Sequence, residues 1–128
     1  MKFPVKHYKT EYGNSPLKKY LEDLKNKNKI GDLAQIRIYI TNLQNYGFDI
    51  NKKFAPEAIK KIEGKLYELR PGSNRVLFFY YSPDGEFILL HGFKKKTQKT
   101  PKKQKNKAIK EMKYYKRRRT NEIRKKWF

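Results

Sequence analysis

The run from residue 75 to residue 94 constrains the fold more than any other stretch. RVLFFYY (75–81) and FILLHGFK (87–94) are rich in β-branched, aromatic and aliphatic residues, and Ser82-Pro83-Asp84-Gly85 between them is a turn signal. A hairpin follows. Its residues are apolar at odd and even positions alike, so both faces of the sheet need cover. A preceding strand, Lys65 to Arg70, joins through Pro71-Gly72-Ser73-Asn74 and completes a three-stranded antiparallel meander.

The cover comes from helices. Ser15-Pro16 supplies a cap and a first-turn proline, and Leu17, Tyr20, Leu21 and Leu24 follow on one helical face, with an end near Lys27-Asn28. Leu33, Ile36, Ile40, Leu43 and Tyr46 repeat at the same period, predicting a second helix from Gly31-Asp32 to Tyr46 with Gly47 as the stop. Ile36, Ile38 and Ile40 are compatible with a strand, but the length of the segment favours helix. A short strand between Phe3 and Tyr8 precedes both. Residues 48–65 are irregular: Ala55 to Ile59 suits one helical turn, and Gly64 is a break. Thr100-Pro101 opens a polar helix through Ala108, Ile109 and Met112, and beyond Tyr115 the apolar stripe is too thin to say whether it frays or extends. The reading is an α+β fold: two N-terminal helices on a small, mainly antiparallel sheet in the order β-α-α-β-β-β, then a C-terminal helix. One domain spans 1–115, and 116–128 is a basic extension.

Charge narrows the partners. The chain carries 33 Lys and Arg against 12 Asp and Glu, a net +21, and 17 of the basic residues lie between 94 and 128, where only Glu111 and Glu122 oppose them. Such a field draws polyanions. With no cysteine and only His7 and His91, a thiolate or histidine metal site is not built, so no cofactor is expected. No apolar run reaches the roughly 18 residues of a membrane span and no signal-peptide stretch opens the chain, so the expected setting is cytoplasmic, without a membrane.

The chemistry gathers around the Pro71–Asn74 turn. If that loop has four residues, Arg70 pairs across from Arg75 and Glu68 stands on the same face, forming a phosphate clamp with a carboxylate beside it. A three-residue loop would throw the arginines to opposite faces. Guanidinium forks suit a phosphorane-like transition state, and the bland alternative is a pair of solvated strand-end arginines. Lys94, Lys95 and Lys96 leave the last strand on alternating sides, with Lys99, Lys102 and Lys103 beyond: Lys95 as a catalytic charge that neutralises a leaving group, the others as RNA contacts, or all of them as a solvated connector. His91 can trade protons near neutral pH, yet a regular hairpin places it opposite Val76, on the face away from Arg75, which makes it a structural or RNA-contacting residue. Glu68 or Lys65 is then the alternative base. The sheet aromatics are either core or stacking platforms for bases.

The order of elements, with LYELRPGSNRVLFFY at 66–80 and LLHGFKKKTQKTP at 89–101, resembles the RelE/ParE toxin superfamily, and within it the phage-derived HigB-like branch. The resemblance implies a type II toxin that enters the ribosomal A site and cuts mRNA by metal-free 2′-hydroxyl attack, held in a hetero-oligomer by a helix-turn-helix antitoxin. It implies Arg75 as transition-state stabiliser, and it puts Lys94 to Lys96 in the place of the basic residues after the last strand. Two departures stand out: relatives carry lysines where this chain has Leu66 and Glu68, and no tyrosine follows the lysine cluster. Two other functions stay open: a ParE-like topoisomerase poison, and a non-catalytic basic nucleic-acid-binding module that presents its sheet aromatics.

Overall fold

A computed structural model describes residues 2–127. The elements are β1 (Val5–His7), α1 (Pro16–Asn26), α2 (Ile30–Tyr46), a 3₁₀ turn (Gly47–Asp49), α3 (Ile50–Lys53), β2 (Ile59–Glu63), β3 (Leu66–Leu69), β4 (Asn74–Tyr81), β5 (Glu86–Lys94) and α4 (Lys102–Trp127). The α+β arrangement is the expected one, with helices on a sheet ordered β1-β5-β4-β3-β2. β1 runs parallel to β5, and every other pairing is antiparallel.

Helix ends follow local chemistry. Ser15 Oγ accepts the Lys18 N–H at 3.2 Å and Pro16 occupies the first turn, so α1 begins where one orphan donor is satisfied and one never existed. Gly47 ends α2 at φ +55°, where a Cβ would lie 2.9 Å from the Phe3 ring. Glycine alone meets both demands.

Each face of the sheet has its own core. Leu17, Leu24, Ile36 and Leu43 of α1 and α2 pack on Val76, Phe78, Phe87 and Leu89. Ala108 and Met112 of α4 pack on Leu66, Leu77, Phe79, Ile88 and Leu90. This double cover is why β4 and β5 read as unbroken apolar runs. Gly92 lets α1 approach closely: a Cβ there would sit 2.6 Å from the Tyr20 ring. The Tyr20 hydroxyl donates to Asn74 Oδ1 at 2.5 Å, and Asn74 Nδ2 donates to Asp32 at 3.2 Å, so both N-terminal helices are tied to the start of β4. Burial, and then Asp32, push the Tyr20 hydroxyl up to about 12, so it stays a donor.

Three expectations need correction. Residues 55–59 form no helical turn. Asn51 instead clasps the backbone of Ile59 through both its amide groups, at 2.9 and 3.0 Å, and starts β2, a fifth strand. Lys65 is not in β3: it stands with Gly64 in the turn between β2 and β3. Third, β5 is not regular. Leu77 pairs with His91 but Phe78 pairs with Leu89, leaving Leu90 as the extra residue of a bulge. α4 meanwhile runs unbroken past Tyr115 to Trp127. Tyr115 packs on Phe79 and Tyr81, and Arg119 bonds Asp84 in the β4–β5 turn at 2.9 Å.

Candidate functional site

The Pro71–Asn74 turn sets the site. Leu69 pairs with Val76, and one step toward the turn the same register puts Arg70 across from Arg75. Glu68 lies two residues back on that face. Its Oε2 is 3.6 Å from Arg70 Nε and 3.8 Å from Arg75 Nε, and its Oε1 accepts the Thr100 hydroxyl at 2.8 Å. The four-residue loop thus brings both guanidiniums to one carboxylate.

The two arginines are held differently. Arg75 is 4% exposed, and its Nη1 donates to the carbonyls of Gly72 and Asn74, both at 2.8 Å, so the turn fixes its fork. Burial lowers its pKa, Glu68 opposes that shift and Arg70 adds to it. Arg70 is more open, and its buried Nε has no hydrogen-bond partner. Glu68 is close enough to pair with its charge but too far to accept a hydrogen bond, so a second acceptor such as a phosphate oxygen could still engage this donor.

The bulge in β5 moves His91 to the Arg75 face, opposite Leu77, which overturns the expected placement. It is 2% exposed and its two ring nitrogens lie 2.6 Å from Glu111 Oε1 and 2.9 Å from Gln104 Oε1, both on α4. His91 fastens α4 to the sheet; it does not open onto solvent. Sequence reasoning missed Glu111, Gln104 and Thr100, polar residues in a polar helix and its lead-in with no signal marking them as inward.

The remaining candidates divide. Lys65 is at the far end of β3 from Arg70, about 16 Å away at ~3.3 Å per strand residue, and is not brought to the cluster. Lys94 turns to the helix side, 3.7 Å from Asp32. Lys95 follows the cluster more closely, since its backbone N–H bonds Ser73 in the same turn at 2.7 Å. Lys96, Lys99, Lys102 and Lys103 are exposed along the connector and the start of α4. The sheet aromatics are core: Phe78, Phe79 and Tyr81 are buried and Tyr80 packs against Phe87, so the sheet presents no stacking platform. Among the described residues no helix is long and apolar enough to cross a membrane, and no three metal-ligating side chains gather.

Residues 19–113 match the family described as "Phage derived protein Gp49-like (DUF891)". The chain belongs to this Gp49-like family, and with it to the RelE-like toxin superfamily. No curated protein matches the Gp49-like chain. In the solved structures, a chain of the archaeal RelE-RelB complex from Pyrococcus horikoshii OT3 is similar in fold, with 21% identity and a TM-score of 0.53 over 77% of this chain and 100% of that one. The family match contains β2 to β5, and so the whole Arg70–Glu68–Arg75 cluster and its turn.

Proposed function

We propose that this Gp49-like protein is the toxin of a type II toxin–antitoxin pair, and that it cleaves mRNA in the ribosomal A site. The observation that carries the proposal is the convergence of Arg70 and Arg75 on Glu68 beside a lysine-rich connector. In the proposed step, the 2′-oxygen of the RNA bonds to the adjacent phosphorus as the bond from phosphorus to the 5′-oxygen breaks, leaving a 2′,3′-cyclic phosphate and a 5′-hydroxyl. Charge builds on the non-bridging oxygens, where fixed guanidinium donors act most strongly. Arg75, oriented by two carbonyls, and Arg70, with a donor to spare, supply them. Glu68, beside both guanidiniums, is the candidate to accept the 2′-hydroxyl proton, and Lys95, whose backbone is bonded to the same turn, is the candidate to donate the proton that turns the leaving 5′-oxygen into a hydroxyl.

The cluster is closed in this state, with Thr100 bonded to Glu68. RNA reaches it when the connector 95–101 gives way. Affinity for the ribosome comes from the +21 charge, Lys96, Lys99, Lys102 and Lys103 included, through counterion release that needs no base readout. A helix-turn-helix antitoxin is the proposed partner in the resting complex, and the cytoplasm the proposed setting. The test is controlled expression with mapping of mRNA 5′ ends. Cuts at a fixed position within codons that vanish in Arg75→Ala support the proposal; growth arrest with intact mRNA and broken DNA contradicts it and supports a topoisomerase poison.

A further inference from the structure

A wide groove lies away from the arginine cluster. It has a volume of about 1620 Å³ and runs between the segment Thr10–Glu22 and the outer face of α4 from Lys107 to Arg117, and none of Glu68, Arg70 and Arg75 lines it. The α4 wall presents Lys107, Lys110, Lys113, Lys116 and Arg117, and the α1 wall Lys18 and Lys19. Lys107, Lys110, Tyr114 and Arg117 recur at helical spacing, so one stripe of α4 faces the groove along three turns. Among the described residues none of the seven cations is within ion-pair distance of a carboxylate, unlike Arg118 and Arg119 on the same helix. Glu11 and Glu22 also line the groove, and Glu111 there is held by His91, so cations predominate.

Aromatic surface accompanies the charge. Tyr12 is 83% exposed at the lip of the groove, and Tyr114 lies in its wall, edge-on to Tyr8. An unpartnered ring beside unpaired cations, over an apolar floor, is the combination that holds single-stranded nucleic acid, in which phosphates follow the cations and bases stack on the rings. Seven basic positions alone would suit any polyanion; the exposed tyrosine is what favours a strand with free bases over an acidic peptide.

We infer that the groove between the Thr10–Glu22 segment and α4 is a second, non-catalytic site for single-stranded RNA. It stands whether or not the arginine cluster cuts the strand, because it uses none of those residues. Here the long α4 has a purpose that its sparse apolar stripe does not explain: it carries one wall of the site.

The test uses the full chain and a fluorescent 12-residue 2′-O-methyl RNA without secondary structure, which binds but lacks the nucleophile for cleavage. Anisotropy is followed across a salt series. Tyr12→Ala should weaken binding by about tenfold with the salt slope unchanged, the loss of one stacked base. Lys110→Glu with Lys113→Glu should weaken it further and flatten the log–log salt slope by about 1.4, at ~0.7 per phosphate contact. Lys52→Glu with Lys53→Glu, an equal charge change on exposed α3, should do neither. Equal losses in the two charge-reversal variants would overturn the inference by reducing it to net charge. It would also be overturned if an acidic peptide bound in a Lys110- and Lys113-dependent way while the RNA did not, since that outcome makes the groove a protein-docking surface. Loss of mRNA cleavage with intact RNA binding in the groove would count against the proposed function alone.

Discussion

Arg70 Nε lies 3.6 Å from Glu68 Oε2, buried and without a hydrogen-bond partner, whereas Arg75 spends Nη1 on two backbone carbonyls of the turn. The pair therefore divides into a donor short of a hydrogen-bond acceptor and a donor locked in place. Arg70→Ala should remove catalysis with little effect on stability. Arg75→Ala should remove catalysis and also lower the melting temperature, because the Gly72 and Asn74 carbonyls lose their partner. Thermal melts beside cleavage assays separate the two, and an unaltered melting temperature in Arg75→Ala would contradict the division.

Glu68 is the counter-charge for both guanidiniums. Glu68→Ala leaves two largely buried cations without it, and breaking a buried pair in that way costs ~3 kcal/mol. Urea denaturation should show that loss in full for Ala and in smaller part for Gln, which keeps an acceptor for Thr100. A stability loss under 1 kcal/mol for Glu68→Ala would mean that the carboxylate does not organise the cluster.

His91 and Glu111 join the sheet to α4 across 2.6 Å, both buried. Each single replacement by Ala should destabilise by about 1–3 kcal/mol, since it leaves a buried polar atom, Glu111 Oε1 or His91 Nδ1, without its partner. The double replacement should cost less than the sum, with a coupling of ~1–3 kcal/mol in a double-mutant cycle. Additive losses would show that the two do not act as one latch.

Burial, then Lys18 and Lys9, hold the imidazole of His7 below its ordinary 6.5. The unfolded chain takes that proton more readily than the folded one. Its contribution to stability is thus whole above pH 6.5 and is lost as pH falls through the lowered folded value. The unsubstituted chain should lose melting temperature between about pH 7 and pH 5 more steeply than His7→Gln, whose side chain can still reach Ser15. Parallel curves would contradict the shift.

Much of this was legible in the sequence, for physical reasons. β4 and β5 announce themselves because strands covered on both faces must be apolar at every position. The length of the Pro71–Asn74 turn decided which face Arg70 and Arg75 share, and a turn of that composition can be read. β2 was not legible. IKKIE is an edge strand with three exposed polar residues, and Asn51, not its own pattern, fixes where it starts. The bulge at Leu90 was invisible too, since LLHG carries no residue that demands one, and that single extra residue carried His91 to the other face. The last turns of α4 depend on Arg119–Asp84 and Tyr115–Tyr81, contacts across more than 30 residues that no local stripe reveals.

Single-turnover cleavage of mRNA on purified, programmed ribosomes tests the guanidinium clamp most directly, with the unsubstituted chain beside Arg70→Ala. The account predicts a rate lower by roughly 100-fold or more in the variant, the size of effect seen when one preorganised oxyanion donor is lost, at unchanged ribosome affinity. A variant that cuts at the original rate, or an unsubstituted chain that binds ribosomes and never cuts, would contradict it.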